Sequence, residues 1–252
     1  MKTAIITVAG ISSRFNEGVP EEKKCLKAVY WERDPSQTLL YHLVQKCSFA
    51  DRIVLVGGYQ FEALQDYVSS LQEDLKEKIS LVFNEHYEDL GSGYSLYLGL
   101  EQAFQFDNEE ILFVEGDLDI DTDSFDQVIF ANKNVITYNN EPIYANKAVV
   151  LYQKEDGKLQ YAFNSSHGLL KIDSAFSFIL NSGQVWKFTD IPKLKRANAL
   201  FFKKTKDGTN LVIIQNYLDM GVPYALIGLK RWTNCNTKED YRKITAFWEE
   251  EK

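Results

Sequence analysis

The chain has 252 residues, of which 45% are hydrophobic and 25% charged, and its formal net charge is −8. A nucleic-acid-binding protein is therefore not expected, because phosphate backbones attract a basic protein face. The sequence has no apolar run of the roughly 18 to 20 residues that cross a membrane, and its first residues form no cleavable signal, so we expect a cytoplasmic protein. Three scattered cysteines without a C-x-x-C pair predict neither a disulfide framework nor a structural zinc site.

The first half of the chain alternates between predicted strands and predicted helices. Short apolar runs rich in β-branched residues are typical of strands that are buried on both faces, and they occupy residues 3–8, 52–58, 78–85 and 110–117. Apolar residues at helical spacing occupy residues 38–50, 61–75 and 95–104. This alternation predicts a doubly wound, mostly parallel α/β sheet.

The second half of the chain has a different pattern. From about residue 135 apolar and polar residues alternate around a turn at 155–157, which predicts an antiparallel ribbon added to the sheet. Further predicted elements are helices at 194–206 and 210–220, a strand at 223–232 and a closing helix whose N-cap is Thr237. Without a linker or a repeat, we expect a single domain over residues 1–252, divided into 1–134, an insertion at 135–205 and a closing part at 206–252.

A small, polar and cationic loop follows the first predicted strand, where a doubly wound sheet binds its ligands. Small residues let backbone N–H groups approach an anion, and Arg14 can grip a phosphate with two parallel hydrogen bonds. Lys23, Lys24 and Lys27 add positive charge, although neither a P-loop nor a dinucleotide-binding fingerprint is present. The loop therefore predicts a polyphosphate site, and the alternative is a Gly-Ser turn followed by a solvated basic stretch.

Two other segments strengthen the prediction of a phosphate site. The sequence EGDLDID at 115–121 ends a buried strand, so Asp117 is placed as a Mg²⁺ ligand; the alternative is an acidic turn. A Gly/Ser turn lies within NEHYEDLGSGYSLYLGL at 84–100, directly before a helix. Its free N–H groups could hold an anion or a base edge, and the alternative is ordinary capping by Ser92 or Ser95.

Together these segments resemble the nucleotidyltransferase superfamily. The matching stretches are AGISSRF, K-C-L at 24–26, V-G-G-Y at 56–59, FNEHYEDLGSGYSLYL and E-G-D. With WTNCNTKEDYRKI near the C-terminus, the chain is most similar to bacterial CTP:phosphocholine cytidylyltransferases, although the similarity is weak between about 120 and 205. The resemblance implies a Rossmann-like nucleotidyltransferase fold in which residues 1–134 bind the nucleotide and 135–205 the acceptor. It also implies transfer of CMP from CTP to phosphocholine or a similar small phosphorylated molecule, with release of pyrophosphate.

The resemblance assigns roles to individual residues. Arg14, Lys24 and Asp117 would be catalytic, with Lys24 neutralising the α-phosphate and Asp117 holding Mg²⁺. The remaining nucleotide-binding residues would be Ala9, Gly10, Ile11, Ser12, Ser13, Gly58, Tyr59, Asn84, Ser92, Gly93, Ser95, Glu115 and Gly116.

Asn236 departs from the family pattern because it stands where a second metal-binding aspartate is found. An amide oxygen is a weaker ligand than a carboxylate for a hard dication. Three outcomes are therefore open: Asn236 still orients the metal, Asp119 or Asp121 substitutes for it, or metal binding is weak.

Aromatic residues in the second half suggest a site for the acceptor. A quaternary ammonium group is held by aromatic faces and a carboxylate, so Glu141, Trp186, Asp190 and Trp232 are the predicted cage; alternatively, these rings pack in the core. Residues 162–168 and 181–188 are predicted loops over the acceptor, with His167 at the surface. Two other activities stay open, namely a sugar-1-phosphate nucleotidylyltransferase that uses another NTP and a catalytically silent nucleotide-binding module.

Overall fold

A computed structural model of the chain describes residues 1–146, 149–163 and 169–250. Within them, nine strands form one mixed sheet whose main order is β10-β6-β9-β4-β1-β2-β3, and two short strands, β5 and β11, form a separate antiparallel pair. The strands are β1 (Lys2–Thr7), β2 (Arg52–Gly57), β3 (Ile79–Phe83), β4 (Glu110–Glu115), β5 (Leu118–Ile120), β6 (Asn134–Asn139), β7 (Val149–Lys154), β8 (Leu159–Phe163), β9 (Phe176–Phe188), β10 (Tyr224–Leu229) and β11 (Trp232–Asn234).

The pairing of these strands confirms the predicted fold class. Strands β4, β1, β2 and β3 are parallel neighbours, as are β10 and β6, whereas β9 runs antiparallel to both β4 and β6. The hairpin β7–β8 turns at residues 155–157 and joins the sheet through β9, which gives the predicted antiparallel ribbon.

Helices cover both faces of the sheet, so the apolar side chains of each central strand are buried on both sides. On β1, Ala4 and Ile6 pack in the core beneath α1, α2 and α5, while Ile5 packs beneath α4, α6 and α7. No helix of the described residues is long and apolar enough to cross a membrane. The helices are α1 (Leu39–Lys46), α2 (Phe61–Ser69), α3 (Glu73–Lys76), α4 (Ser92–Ala103), α5 (Thr122–Phe130), α6 (Ile191–Lys204), α7 (Asn210–Leu218) and α8 (Lys238–Glu250).

Three segments correct the sequence-based expectations. Residues 181–188 are not a loop but the second half of β9, because Val185 and Phe188 are buried between β4 and β6. Helix α5, capped by Asp121, was not predicted, and the strand expected at 223–232 is divided into β10 and β11. Residues 164–168, which contain His167, lie outside the described residues.

The direction of winding changes at the boundary between β1 and β4. Strands β2 and β3 lie on one side of β1, and β4 with every later strand of the sheet lies on the other. The connections that leave the carboxyl ends of β1 and β4 therefore diverge and open a crevice between them, which is where open α/β sheets bind ligands.

The capping prediction at Thr237 is also correct, since its hydroxyl accepts a hydrogen bond from the backbone N–H of Asp240.

Candidate functional site

A cleft of about 230 Å³ lies at the carboxyl edge of β1 and β4. Segments far apart in the chain form its walls: the loop after β1, the residues preceding α4, the end of β4 and the start of α7. Its lining includes Thr7, Val8, Ala9, Gly10, Ser12, Lys27, Asn84, Tyr87, Ser92, Ser95, Glu115, Gly116, Asp117 and Asn210. Most of the predicted nucleotide-binding residues are thus brought together around one space.

Gly116 sets the position of Asp117 beside the loop. Its backbone N–H donates to the carbonyl of Thr7 at 3.0 Å, which ties the end of β4 to the end of β1. A Cβ atom at this position would lie 2.4 Å from Val8 Cγ1, so no larger residue fits without moving the strand. The glycine therefore brings the Asp117 carboxylate close to the residues that follow β1.

The segment of residues 8–27, here called the phosphate loop, is folded back on itself by side chain to backbone bonds. Ser12 has a left-handed backbone conformation with φ of 54°, and its hydroxyl accepts the backbone N–H of Lys27 at 3.3 Å. The side chain of Asn16 bonds both the N–H and the carbonyl of Cys25, at 3.1 Å and 2.8 Å. These contacts place Lys27 at the mouth of the cleft.

Lys27, and not Lys24, is the lysine of the cleft. The Lys27 ammonium donates to Asp117 Oδ2 at 2.8 Å and to the carbonyl of Cys235 at 3.0 Å. Lys24 instead forms an ion pair with Glu21 at 2.5 Å, and this contact raises the pKa of Lys24. The catalytic role of Lys24 stays a prediction, and these contacts make Lys27 a second candidate for it. No motif marks Lys27, because L-K-A-V at 26–29 shares only the lysine with P-K-x-L.

Arg14 and Asn236 meet at the outer rim of the site. The guanidinium of Arg14 donates to Asn236 Oδ1 at 2.6 Å, and the backbone N–H of Asn236 donates to Asp240. Ile11 and Ser13 are exposed on the same loop, and the space beside Gly10 is open. The rim therefore offers one guanidinium and accessible backbone to an anion.

The acidic residues of the site fit a nucleotide-bound Mg²⁺ better than a preformed metal cage. Asp117 Oδ1 is buried without a hydrogen-bond partner among the described residues, while the amide oxygen of Asn236 is already bound by Arg14. No cluster of three or more His, Cys, Asp or Glu side chains in the described parts of the chain could hold a metal. Mg²⁺ commonly takes one or two carboxylates from the protein and the rest of its ligands from phosphates and water.

Asp119 and Asp121 do not face the cleft as substitute metal ligands. Asp119 is buried and accepts from Trp248 Nε1 at 2.8 Å and from the Arg231 guanidinium, which fastens α8 to β5. Asp121 caps α5 through Ser124 N–H at 2.8 Å and also accepts the backbone N–H of Arg231. Both carboxylates have structural partners, so this alternative for the second ligand is wrong.

Among the other predicted nucleotide-binding residues, some line the cleft and some do not. Asn84 and Ser95 line the cleft and bond each other at 2.9 Å, whereas Gly58 is pressed against Tyr87 and the carbonyl of Ala9.

The start of α4 is partly covered by the α6–α7 connection. The N–H of Gly93 donates to the carbonyl of Gly208 at 3.1 Å, and the nucleotide-binding role of Gly93 stays a prediction. The Ser92 hydroxyl bonds Asn210 and still faces the cleft, while Tyr59 is held through its backbone N–H by Ala9.

The predicted aromatic cage is not assembled. Trp186 has no exposed surface, stacks on Phe113 at 5.1 Å and donates its indole N–H to the Tyr161 hydroxyl at 2.7 Å. Asp190 caps α6 at the opposite edge of the sheet, because β9 is antiparallel to β4 and ends beside the start of that strand. Both assignments are corrected in favour of the alternative of core packing and capping.

Glu141 and Trp232 do lie at the carboxyl edge of the sheet. Glu141 follows β6 and is exposed, whereas Trp232 begins β11 and donates its indole N–H to the carbonyl of Gly183 at 2.9 Å. Neither contacts Trp186 or Asp190 to form a cage of four, so they stay as two separate candidates for contact with an acceptor.

A set of polar residues around Glu115 was missed by the sequence reasoning. Glu115 Oε1 accepts from Asn210 at 2.7 Å, and Oε2 accepts from Gln184 at 2.9 Å. Burial is the main cause that raises the pKa of Glu115 well above its usual value, and the nearby charge of Asp117 adds to this effect. No local motif marks these partners, because they come from β9 and α7, about 70 and 95 positions along the chain.

Comparisons with known proteins agree with this geometry at the level of fold. The family described as "Domain of unknown function (DUF6564)" matches residues 23–248. No curated protein matches the chain.

Solved structures similar to this chain are nucleotidyltransferases. The inositol-1-phosphate CTP transferase from T. maritima has a TM-score of 0.67 and 18% identity, with 97% of this chain and 95% of that chain covered. The CTP:phosphocholine cytidylyltransferase from Streptococcus pneumoniae has a TM-score of 0.64 and 19% identity, with 98% and 99% covered. A nucleoside-diphosphate-sugar pyrophosphorylase from Vibrio cholerae has a TM-score of 0.69 and 14% identity, with 98% and 100% covered. The resemblance drawn from the sequence is thereby confirmed as a nucleotidyltransferase fold.

Proposed function

The chain belongs to the DUF6564 family, whose description names no activity, and we propose that it is a nucleotidyltransferase acting in this cleft. It would join the nucleotidyl group of an NTP, with CTP as the first candidate, to a small phosphorylated molecule and release pyrophosphate. The observation that carries the proposal is the contact between Lys27 and Asp117, beside the phosphate loop, with one Asp117 oxygen left unpartnered. A cation and a carboxylate at the strand ends suit a reaction between two anions.

The reaction needs positioning and charge more than covalent chemistry by the protein. An oxygen of the acceptor phosphate forms a bond to the α-phosphorus, and the bond from that phosphorus to the pyrophosphate oxygen breaks. No side chain has to remove a proton, because the attacking oxygen belongs to a phosphate that is already ionised. Preorganised cations that stabilise the developing charge then supply most of the rate enhancement.

Each side chain of the cleft has a role in this scheme. Residues 9–14 would wrap the triphosphate, with Arg14 binding its outer phosphates at the rim. Lys27 would leave Asp117 and bind the α-phosphate as charge develops there, the role first assigned to Lys24. Mg²⁺, held by Asp117 and the triphosphate, would add positive charge at the leaving group. Asn84 and Ser95 would contact the nucleoside.

CTP is the first nucleotide to test because two of the similar solved structures are named as CTP-using enzymes. Other similar structures are named as enzymes that act on sugar phosphates or nucleotide sugars. ATP, GTP, UTP and dTTP therefore have to be compared with CTP. Base preference is therefore decided by measurement, with the same acceptor mixture for every nucleotide.

The test is pyrophosphate release from each NTP with Mg²⁺ and a panel of phosphate monoesters. We expect release with one NTP above all, and its loss in Asp117→Asn. Asp66→Asn, on the exposed face of α2, is the matched control and should retain full activity. Tight binding of an NTP without pyrophosphate release for any acceptor would contradict catalysis and favour the silent nucleotide-binding module.

A further inference from the structure

A chain of polar side chains extends from Glu115 towards β11 and is here called the Glu115 network. It contains Asn210, Glu115, Gln184 and Asn234, with Asn234 Nδ2 lying 3.4 Å from Gln184 Oε1. Asn210 and Gln184 both direct their side-chain NH₂ groups towards the carboxyl oxygens of Glu115. The amide oxygens of the network consequently point away from Glu115, where they can accept hydrogen bonds.

Two polar atoms beside the network have no partner within the described residues. They are the amide oxygen of Asn234 and the hydroxyl of Thr209, which directly precedes Asn210, and both atoms are buried. Buried polar atoms without a partner are rare in native proteins, and they often mark a position that water or a ligand completes. Glu115 and Asn210 line the cleft, and they connect it to the residues that carry these two atoms.

The backbone at Gln184 is held in an unusual conformation that directs its side chain into the network. Its φ is 56°, which is uncommon for a residue other than glycine, and its N–H donates to the Ser182 hydroxyl at 3.3 Å. Backbone conformations of this kind tend to occur at functional sites, where the surrounding structure maintains them. The conformation allows Gln184, although part of a core strand, to reach Glu115.

The same region lacks the features that bind a quaternary ammonium group. Such a group carries no N–H and is held by aromatic faces and a carboxylate without other partners. Both Glu115 oxygens accept from amides, and Trp186 is enclosed in the core. Among the described residues that line the cleft, Tyr87 is the single aromatic residue. It lies beside Gly58, on the proposed nucleotide side of the cleft.

From these contacts we infer that the acceptor is a polyhydroxylated phosphate monoester, a polyol or sugar phosphate, and that Gln184 and Asn234 determine this specificity. The inference rests on the proposed nucleotidyl transfer and narrows its acceptor. A site built to hydrogen-bond hydroxyl groups discriminates strongly against analogues that lack them, because its own polar groups are then left unpaired.

The experiment measures pyrophosphate release with the preferred NTP and four probes: myo-inositol 1-phosphate, glucose 1-phosphate, glycerol 3-phosphate and phosphocholine. We expect kcat/KM for the best hydroxylated phosphate to exceed that for phosphocholine by about a hundredfold or more. Gln184→Met, which keeps the side-chain length and removes the amide, should raise KM for that acceptor at least about tenfold and leave KM for the NTP unchanged. Gln153→Met, on the β7–β8 ribbon, is the matched control and should change neither constant.

The possible outcomes separate the acceptor from the activity. Equal or better turnover of phosphocholine would overturn the acceptor inference and leave nucleotidyl transfer intact. If no combination of NTP and acceptor released pyrophosphate, both the acceptor inference and the proposed nucleotidyl transfer would be overturned. If Gln184→Met does not fold, as judged by circular dichroism, Asn234→Ala replaces it with the same expected rise in acceptor KM, and an unchanged KM in the folded variant contradicts the inference.

Discussion

The two walls of the cleft hold their side chains in different ways. On the nucleotide side, the phosphate loop is a contiguous segment, and its own backbone bonds, from Ser12 to Lys27 and from Asn16 to Cys25, set the position of each cation. On the acceptor side, the Glu115 network joins single residues from β4, β9, α7 and β11 through side-chain hydrogen bonds. The loop side is therefore built from one short segment, whereas the Glu115 network depends on how distant strands and helices are brought together.

The largest effect is expected at Asp117, which lies where the two walls meet. Asp117→Asn should lower kcat/KM by about a thousandfold, because it removes the negative charge that would hold Mg²⁺ and that orients Lys27. Steady-state pyrophosphate release checks this, with Asp66→Asn as the control. Near-normal turnover in a folded Asp117→Asn protein would mean that this carboxylate has no part in the reaction.

A second comparison distinguishes two lysines three residues apart in the same loop. Lys27→Ala should lower kcat/KM by about a hundredfold or more, since a preorganised charge at the α-phosphate is lost. Lys24→Ala should change kcat/KM by less than about threefold, because an exposed ion pair such as the one between Lys24 and Glu21 contributes little. The same pyrophosphate assay measures both variants. The opposite ranking would restore the alignment of K-C-L with the family motif and show the Lys27 contact to be structural.

The nucleotide wall was largely predictable from the sequence, and the acceptor wall was not. The sequence places Ala9, Gly10, Ser12 and Asp117 at one site, where the cleft has them, because glycine, small residues and a strand-ending carboxylate occur in short contiguous motifs. Lys24 is predicted because K-C-L at 24–26 matches the family motif, whereas the contacts of Lys27 with Ser12 and Asp117 join residues that are 15 and 90 positions apart.

The errors on the acceptor side have a common physical cause. A tryptophan in a strand has the same sequence signature whether it faces a ligand or the core, so Trp186 could be placed only by the stacking of Phe113 beneath it. Gln184 likewise lies in a segment that was expected to be a loop, and its partner Glu115 is 69 positions away. Such contacts depend on how the strands are ordered in the sheet, which the spacing of residues does not reveal.

Trp186 provides a test of the acceptor wall with a stability readout. Trp186→Phe should lower the free energy of unfolding by about 2 kcal/mol, because the Tyr161 hydroxyl loses one of its two side-chain hydrogen bonds and the smaller ring leaves a small cavity. Urea denaturation measures this change, and KM for the acceptor should be unaltered in the folded variant. A tenfold rise in acceptor KM at unchanged stability would instead place this ring in contact with the acceptor.

The smallest effect is expected at Asn236, at the rim of the nucleotide wall. Asn236→Asp should lower the Mg²⁺ concentration for half-maximal activity by about threefold, because it adds a carboxylate to a site with a single available one. Activity is measured against Mg²⁺ at saturating nucleotide, with Asn132→Asp on an exposed surface as the charge-matched control. Superimposable curves for Asn236→Asp and the parent would exclude this residue from the metal site.

We have proposed that the cleft between β1 and β4 binds an NTP through the phosphate loop, Lys27 and Asp117. The most direct test is a crystal structure of the chain with CTP and Mg²⁺, or with the NTP that the activity assay selects. We expect this structure to show the triphosphate against residues 9–14, the Lys27 ammonium within hydrogen-bonding distance of the α-phosphate, and Asp117 bound to the metal. A triphosphate bound outside this cleft, or one contacted by Lys24 while Lys27 stays paired with Asp117, would contradict the proposed binding mode.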